Sequence, residues 1–279
     1  MRHRFSQVDV FADGGFAGNP VAVVHDAAGI TTDEMLAITS WTNLSETTFL
    51  VAPTTPEADY RVRIFCPGRE LPFAGHPTLG SCAAWLAAGG QPRDPDRIVQ
   101  ECDAGLVPVR RDGERLAFAA PRLIRSGPVT TDELDDRLDV LGLTPDDVVD
   151  AAWVDNGPGW MGLLLESADA VLSVPRPTGT RPTFDVGLVG LFPPGSEFAV
   201  EVRAFFADGS GAIREDPVTG SLNASVAQWL TANGRLTTPY VARQGTALDR
   251  AGRVHVDAAD GALWIGGATT VTITGTIGT

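Results

Sequence analysis

Apolar and polar positions alternate from the start of the chain. In "RFSQVDVFA" (residues 4–12) the apolar side chains fall mostly two apart, the period of a half-buried strand. "NPVAVVH" follows the turn-forming "DGGFAGNP" and predicts a second strand. The pattern then changes. "TTDEMLAITSWT" reads as a short helix, with Thr31 and Glu34 spaced for a capping box. "SETTFLVAP" and "DYRVRIFCP" return to strand character. "HPTLGSCAAWLAAGG" predicts a helix with Pro77 near its first turn and Gly89-Gly90 closing it. Its apolar residues lie all round it, so it is expected to be buried.

Part of this outline recurs. A shift of 140 residues places Arg63 on Arg203, Phe65 on Phe205, His76 on Asp216, Pro77 on Pro217, Gly80 on Gly220 and Ser81 on Ser221, without a gap. "CAAWLAAGG" and "VAQWLTANG" then match in kind with a small offset. The spacing is half the chain, which points to two copies of one domain. Between the copies lies "PRLIRSGPVTTDELDDRLDVLGLTPDDVV", a Pro-bearing crossing followed by a short acidic helix. "AAWVDNGPGWMGLLLE" then repeats the opening strand–turn–strand pattern, and the tail "ALWIGGATTVTITGTIGT" is β-rich. The 279 residues suffice for two ordinary domains.

Composition excludes more than it selects. All 21 basic residues are Arg. Without Lys the chain cannot supply a pyridoxal Schiff base, a P-loop lysine or a class I aldolase amine. A formal charge of −14 argues against a nucleic-acid surface. No apolar run approaches a membrane span, and the N-terminus lacks a signal peptide's apolar stretch, so a cytoplasmic location is expected. Cys66, Cys82 and Cys102 are odd in number and form no CxxC pair; they read as small buried hydrophobes. No His, Cys and carboxylate cluster has metal-ligand spacing, so no metal and no cofactor are expected.

"FAGHPTLGS" and "REDPVTGSL" sit where a loop enters a helix. First-turn N–H groups there lack intrahelical partners and carry the positive end of the dipole, which suits a carboxylate. Two such ends, one from each copy, could serve one cleft. The plainer reading is ordinary capping, with Asp216 as an N-cap and Ser221 merely inside the helix. Glu46, at the entry to an apolar strand, is either a solvated strand end or a cleft carboxylate whose pKa burial would raise for proton transfer. Of the four histidines, His76 alone lies in a Gly-rich helix entry.

"DVFADGGFAGNPVAVV", "NLSETTFL", "FAGHPTLGSCAAWL" and "EDPVTGSLNASVAQWL" together resemble the PhzF-like proteins, in that family's order and spacing, across residues 8 to 230. The resemblance implies an α+β diaminopimelate-epimerase-like fold. In it two pseudo-symmetric domains each wrap mixed strands around a central helix. Boundaries are expected at residues 1–122 and 123–267, with 268–279 returning to the first domain. The resemblance assigns Glu46 as general acid/base and His76 with Asp216 as the pair that binds and polarises the substrate. Ser45, Gly75, Gly220 and Ser221 would line the site and hold a carboxylate. It also implies a homodimer, and no membrane or nucleic-acid partner. Related racemases use one cysteine per half. Here those positions read Ala74-Gly75-His76 and Glu215-Asp216-Pro217, and Cys66 and Cys82 lie elsewhere. The expected activity is a cofactor-independent isomerisation of a small, conjugated carboxylate in secondary metabolism, similar to dihydro-hydroxyanthranilate isomerase. The alternatives are a non-catalytic binder on the same scaffold, or an epimerase with another acid/base pair.

Overall fold

Alternation in the opening residues becomes strand β1 (Arg2–Val10), whose Val8 and Val10 are fully buried. The computed structural model describes the backbone of residues 1–279 and every side chain except that of Asp112. The chain divides into two units, Met1–Ala119 with Gly266–Thr279, and Ala120–Ile265. Each is a strand-rich α+β body with few helices.

After β1 the first unit contains β2 (Asn19–Val24), α1 (Thr32–Thr42), β3 (Thr47–Val51), β4 (Tyr60–Cys66) and β5 (Arg69–Leu71). The helix α2 (Gly75–Ala87) and strands β6 (Arg97–Cys102), β7 (Gly105–Asp112) and β8 (Arg115–Ala119) complete it. The capping box of α1 forms as its sequence predicts, with Thr31 and Glu34 satisfying each other's backbone N–H. The second unit opens with β9 (Arg125–Pro128) and the acidic helix α3 (Thr131–Leu141). It continues through β10 (Val148–Asp155), β11 (Met161–Leu165), α4 (Ala168–Ser173), β12 (Asp185–Leu191), β13 (Val200–Ala207) and β14 (Ile213–Asp216). Then come α5 (Gly220–Ala232), β15 (Tyr240–Gln244), β16 (Gly252–Ala259) and the long β17 (Ala262–Gly278), whose later residues pair with β1.

The two units share one pairing scheme. In the first, β1–β2 is antiparallel, β2–β3 parallel, β3–β4 and β4–β5 antiparallel, β4–β6 parallel and β6–β7 antiparallel. In the second, β10–β11, β11–β12, β12–β13, β13–β14, β13–β15 and β15–β16 follow the same senses in the same order. A parallel neighbour needs a crossover, and helices supply it. α1 and α4 carry the chain from β2 to β3 and from β11 to β12; α2 and α5 lie on the paths to β6 and β15.

α2 is central to its unit. It touches β1, β2, β3, β6 and β8, and every residue from Gly75 to Cys82 is buried. Close packing requires small residues, and the two units place them on opposite partners. In the first unit the helix supplies Gly80, where a Cβ would collide with Val21. In the second the strands supply Gly187 against Leu222 and Gly162 against Trp229 of α5. No helix among the described residues is long and apolar enough to cross a membrane.

The gap-free shift of 140 residues holds for β4 and β13 but not beyond them. Phe65 pairs with Glu70, and Phe205 with Glu215. The second turn is therefore five residues longer, and from there the offset is 145. The helices begin at Gly75 and Gly220. The structural counterpart of His76 is thus Ser221, and that of Asp216 is Leu71. The sequence match of His76 with Asp216 pairs residues in different local settings: His76 lies in the first turn of a helix, Asp216 at the end of a strand before one.

Candidate active site

In the first unit the site is built on the β1–β2 hairpin, the entry to β3 and the first turn of α2. Asp9 on β1 accepts hydrogen bonds from the backbone N–H groups of Ala17 (3.0 Å) and Gly18 (2.9 Å), which curls the hairpin loop back on its own strand. Only glycine fits at position 18, because a Cβ there would collide with the Val10 carbonyl and crowd Asp9. That curl delivers Asn19, fully buried, to His76: Asn19 Nδ2 lies 3.3 Å from His76 Nδ1. On the other side of the ring, His76 Nε2 lies 3.2 Å from Glu46 Oε2. The Glu46 side chain is 17% exposed and that of His76 5%. Glu46 immediately precedes β3, and Ser45 precedes it in a bend.

Burial lowers the His76 pKa to about 3, so the imidazole is neutral at physiological pH. An amide nitrogen can only donate, so Asn19 Nδ2 donates to Nδ1, and the ring proton sits on Nε2 facing Glu46. The neutral ring then turns its Nε2–H side toward the carboxylate, 3.2 Å away, and is not its ionic partner. Gly75 and His76 also contribute first-turn N–H groups of α2, whose N-cap residue Ala74 has no capping side chain.

The second unit carries a parallel arrangement of different residues. Asp155 Oδ1 accepts from the backbone N–H groups of Gly157 and Gly159, each at 2.7 Å, and curls the β10–β11 hairpin as Asp9 curls the first. This hairpin reaches the second residue of α5: Trp160 Nε1 donates to Ser221 Oγ (3.1 Å), and Asn156 Nδ2 to the Ser221 carbonyl (2.9 Å). Thr219 Oγ1 donates to Asp216 Oδ2 (2.6 Å). Gln244 on β15 ties the loop together. Its Oε1 accepts from Thr219 N (3.0 Å) and Asn223 Nδ2 (2.8 Å), and its Nε2 donates to the Asp216 carbonyl (3.1 Å). Gly220 begins α5 and is buried; like Ala74, the N-cap Thr219 makes no side-chain cap. Among the described residues no group of three or more His, Cys, Asp or Glu is placed to hold a metal ion.

The model of the family described as phenazine biosynthesis-like protein matches residues 8–277. The chain belongs to this family. It is 35% identical to "Antisense-enhancing sequence 1" of Schizosaccharomyces pombe over 98% of both chains. It is 30% identical to the trans-2,3-dihydro-3-hydroxyanthranilate isomerase of Pseudomonas fluorescens, over 89% of this chain and 87% of that one. A solved PhzF-family structure from Enterococcus faecalis matches over the full length of both chains with a TM-score of 0.79 at 23% identity, a likeness of fold. The chain is an isomerase of the phenazine biosynthesis-like family.

Neither Cys66 nor Cys82 stands at a racemase cysteine position. The β3–β4 ladder pairs Thr47 with Phe65, the chain neighbours of Glu46 and Cys66. Burial raises the Cys66 pKa, and the Glu46 charge adds to the rise. Burial pushes Cys82 up to about 12. Both thiols are therefore protonated at neutral pH. Asn19, Asn156, Trp160 and Gln244 were missed. Each meets its partner across at least 21 residues of sequence, at contacts that no local pattern encodes.

Proposed function

We propose that Glu46 removes an acidic C–H proton from a small, conjugated carboxylate substrate and returns it to another carbon. The supporting observation is the Glu46 carboxylate, mostly withdrawn from water, within hydrogen-bond distance of a buried and neutral imidazole. A neutral Nε2–H orients the carboxylate and stabilises its basic form without fixing it as half of an ion pair. The Cys66 thiol, which feels the Glu46 charge, is held protonated, which leaves the carboxylate as the base. First-turn N–H groups at Gly75 and His76 suit the substrate carboxylate. On the strength of the family match, Ser45, Asp216, Gly220 and Ser221 also take part in binding, with Asp216 steadying a polar group of the substrate.

The substrate class follows the P. fluorescens relative, so trans-2,3-dihydro-3-hydroxyanthranilate is the first compound to test. Incubation in deuterated water separates the readings. Deuterium at a new carbon supports the isomerase, exchange at the original carbon indicates an epimerase, and binding without exchange a non-catalytic binder.

A further inference from the structure

We propose that Asn19 is a positioning residue: its amide holds His76 in the Nε2–H tautomer, so that the protonated nitrogen is the one that faces Glu46. This deepens the acid/base reading above and names a residue that reading did not use. A neutral imidazole has one proton for two nitrogens, and the hydrogen bond made by one nitrogen decides what the other offers. Here Nδ1 faces the Asn19 amide nitrogen at 3.3 Å, and Nε2 faces Glu46 Oε2 at 3.2 Å. Were the proton on Nδ1, a lone pair would point at the carboxylate, and the amide N–H groups would point at an N–H. Both contacts would be repulsive in a site that burial makes nearly dry.

The hairpin is built to keep the amide in place. Asp9 ties down the two residues before Asn19, and Gly18 permits the close approach to Val10. Asn19 itself begins β2 and pairs with Val10 in the β1–β2 ladder, so its backbone is fixed. The position of a proton on one side of the ring is thus set by a strand residue on the other.

The test is ¹⁵N NMR of the intact protein labelled in its four histidines, with the His76 ring signals identified by their loss in His76→Gln. At neutral pH the wild type is expected to show a protonated Nε2 and an unprotonated Nδ1. In Asn19→Asp the new carboxylate accepts from Nδ1, so Nδ1 is expected to become protonated, the ring standing between two carboxylates as an imidazolium. In Glu46→Leu, which removes the competing partner, the Nε2–H tautomer is expected to persist because Asn19 alone dictates it. A wild type protonated at Nδ1, an Asn19→Asp protein whose Nδ1 stays unprotonated, or a mixed tautomer in Glu46→Leu would overturn the proposal. Should Asn19→Asp fail to fold, the wild type and Glu46→Leu still decide. None of these measurements needs a substrate, so the tautomer can fail while the isomerase reading stands, or the reverse.

Discussion

At the scale of single residues, the site separates proton transfer from its support. Glu46→Gln keeps the side chain's size but cannot accept a proton, so kcat is expected to fall by on the order of 10² to 10⁴ with KM near wild type. Asp216→Asn and His76→Ala are expected to change both constants, because each is proposed to touch the bound substrate. Cys66→Ala should retain activity although the thiol lies close enough to feel the Glu46 charge, since it is already held protonated. Steady-state kinetics on the four variants checks this, and a folded but inactive Cys66→Ala would return the thiol to the mechanism. Residue type and local setting made Glu46 and His76 legible: a carboxylate at a strand entry, and a histidine where glycine and proline open a helix. Asn19 was visible only as part of a turn, because its partner lies 57 residues away.

At the scale of elements, duplication creates an internal control. Arg63–Glu70 and Arg203–Glu215 occupy equivalent places on the β4–β5 and β13–β14 hairpins. Each arginine also pins the crossover helix of its unit. Arg63 donates to Thr32 at the start of α1, and Arg203 to the Val171 and Val174 carbonyls at the end of α4. Burial differs. The side chains of the first pair are 25% and 33% exposed, those of the second 2% each. Without Arg203, buried Glu215 keeps only Arg176, a half-exposed partner at 3.3 Å, so Arg203→Met is expected to cost up to roughly 3–5 kcal/mol. Arg63→Met should cost about 0–1 kcal/mol. Urea unfolding of the two variants measures the contrast, and equal losses would mean that burial does not control these pairs. Gly80→Ala, which drives a methyl into Val21, is expected to cost about 1–3 kcal/mol in the same assay. Strand and helix types were legible from their periods, as in β1, α1 and α2. The short elements were not. The strands β5 and β14 and the six-residue α4 are too brief to show a period, and the longer turn before β14 shifted the repeat unseen.

At the scale of the whole molecule, the buried histidine couples the site to stability. The unfolded His76 side chain titrates near 6.5, whereas in the folded protein it does so near 3. Between those values the unfolded chain takes up a proton that the folded protein refuses. Stability therefore falls as pH drops below about 6.5, and this contribution stops changing below about 3. His25, whose pKa burial also lowers, acts in the same direction. Glu133 and Asp208 are held near 2, Glu133 first by the Thr130 backbone N–H and Asp208 first by the Ser210 hydroxyl. Stabilisation from those carboxylates is present above their unfolded pKa and disappears only as pH falls through about 4 to 2, a separate window. Glu201, whose pKa burial raises, acts in the opposite direction to the histidines, so the comparison of wild type with His76→Gln by chemical denaturation between pH 7 and pH 5 isolates His76. From pH 7 to pH 5, His76 alone is expected to remove about 2 kcal/mol from the wild type. His76→Gln should lose that much less over the same interval, with the His25 share unchanged. An equal loss in the two proteins would mean that burial does not lower the His76 pKa; a larger loss in His76→Gln would mean that the folded ring faces Glu46 as a cation, and the neutral arrangement of the site would be wrong.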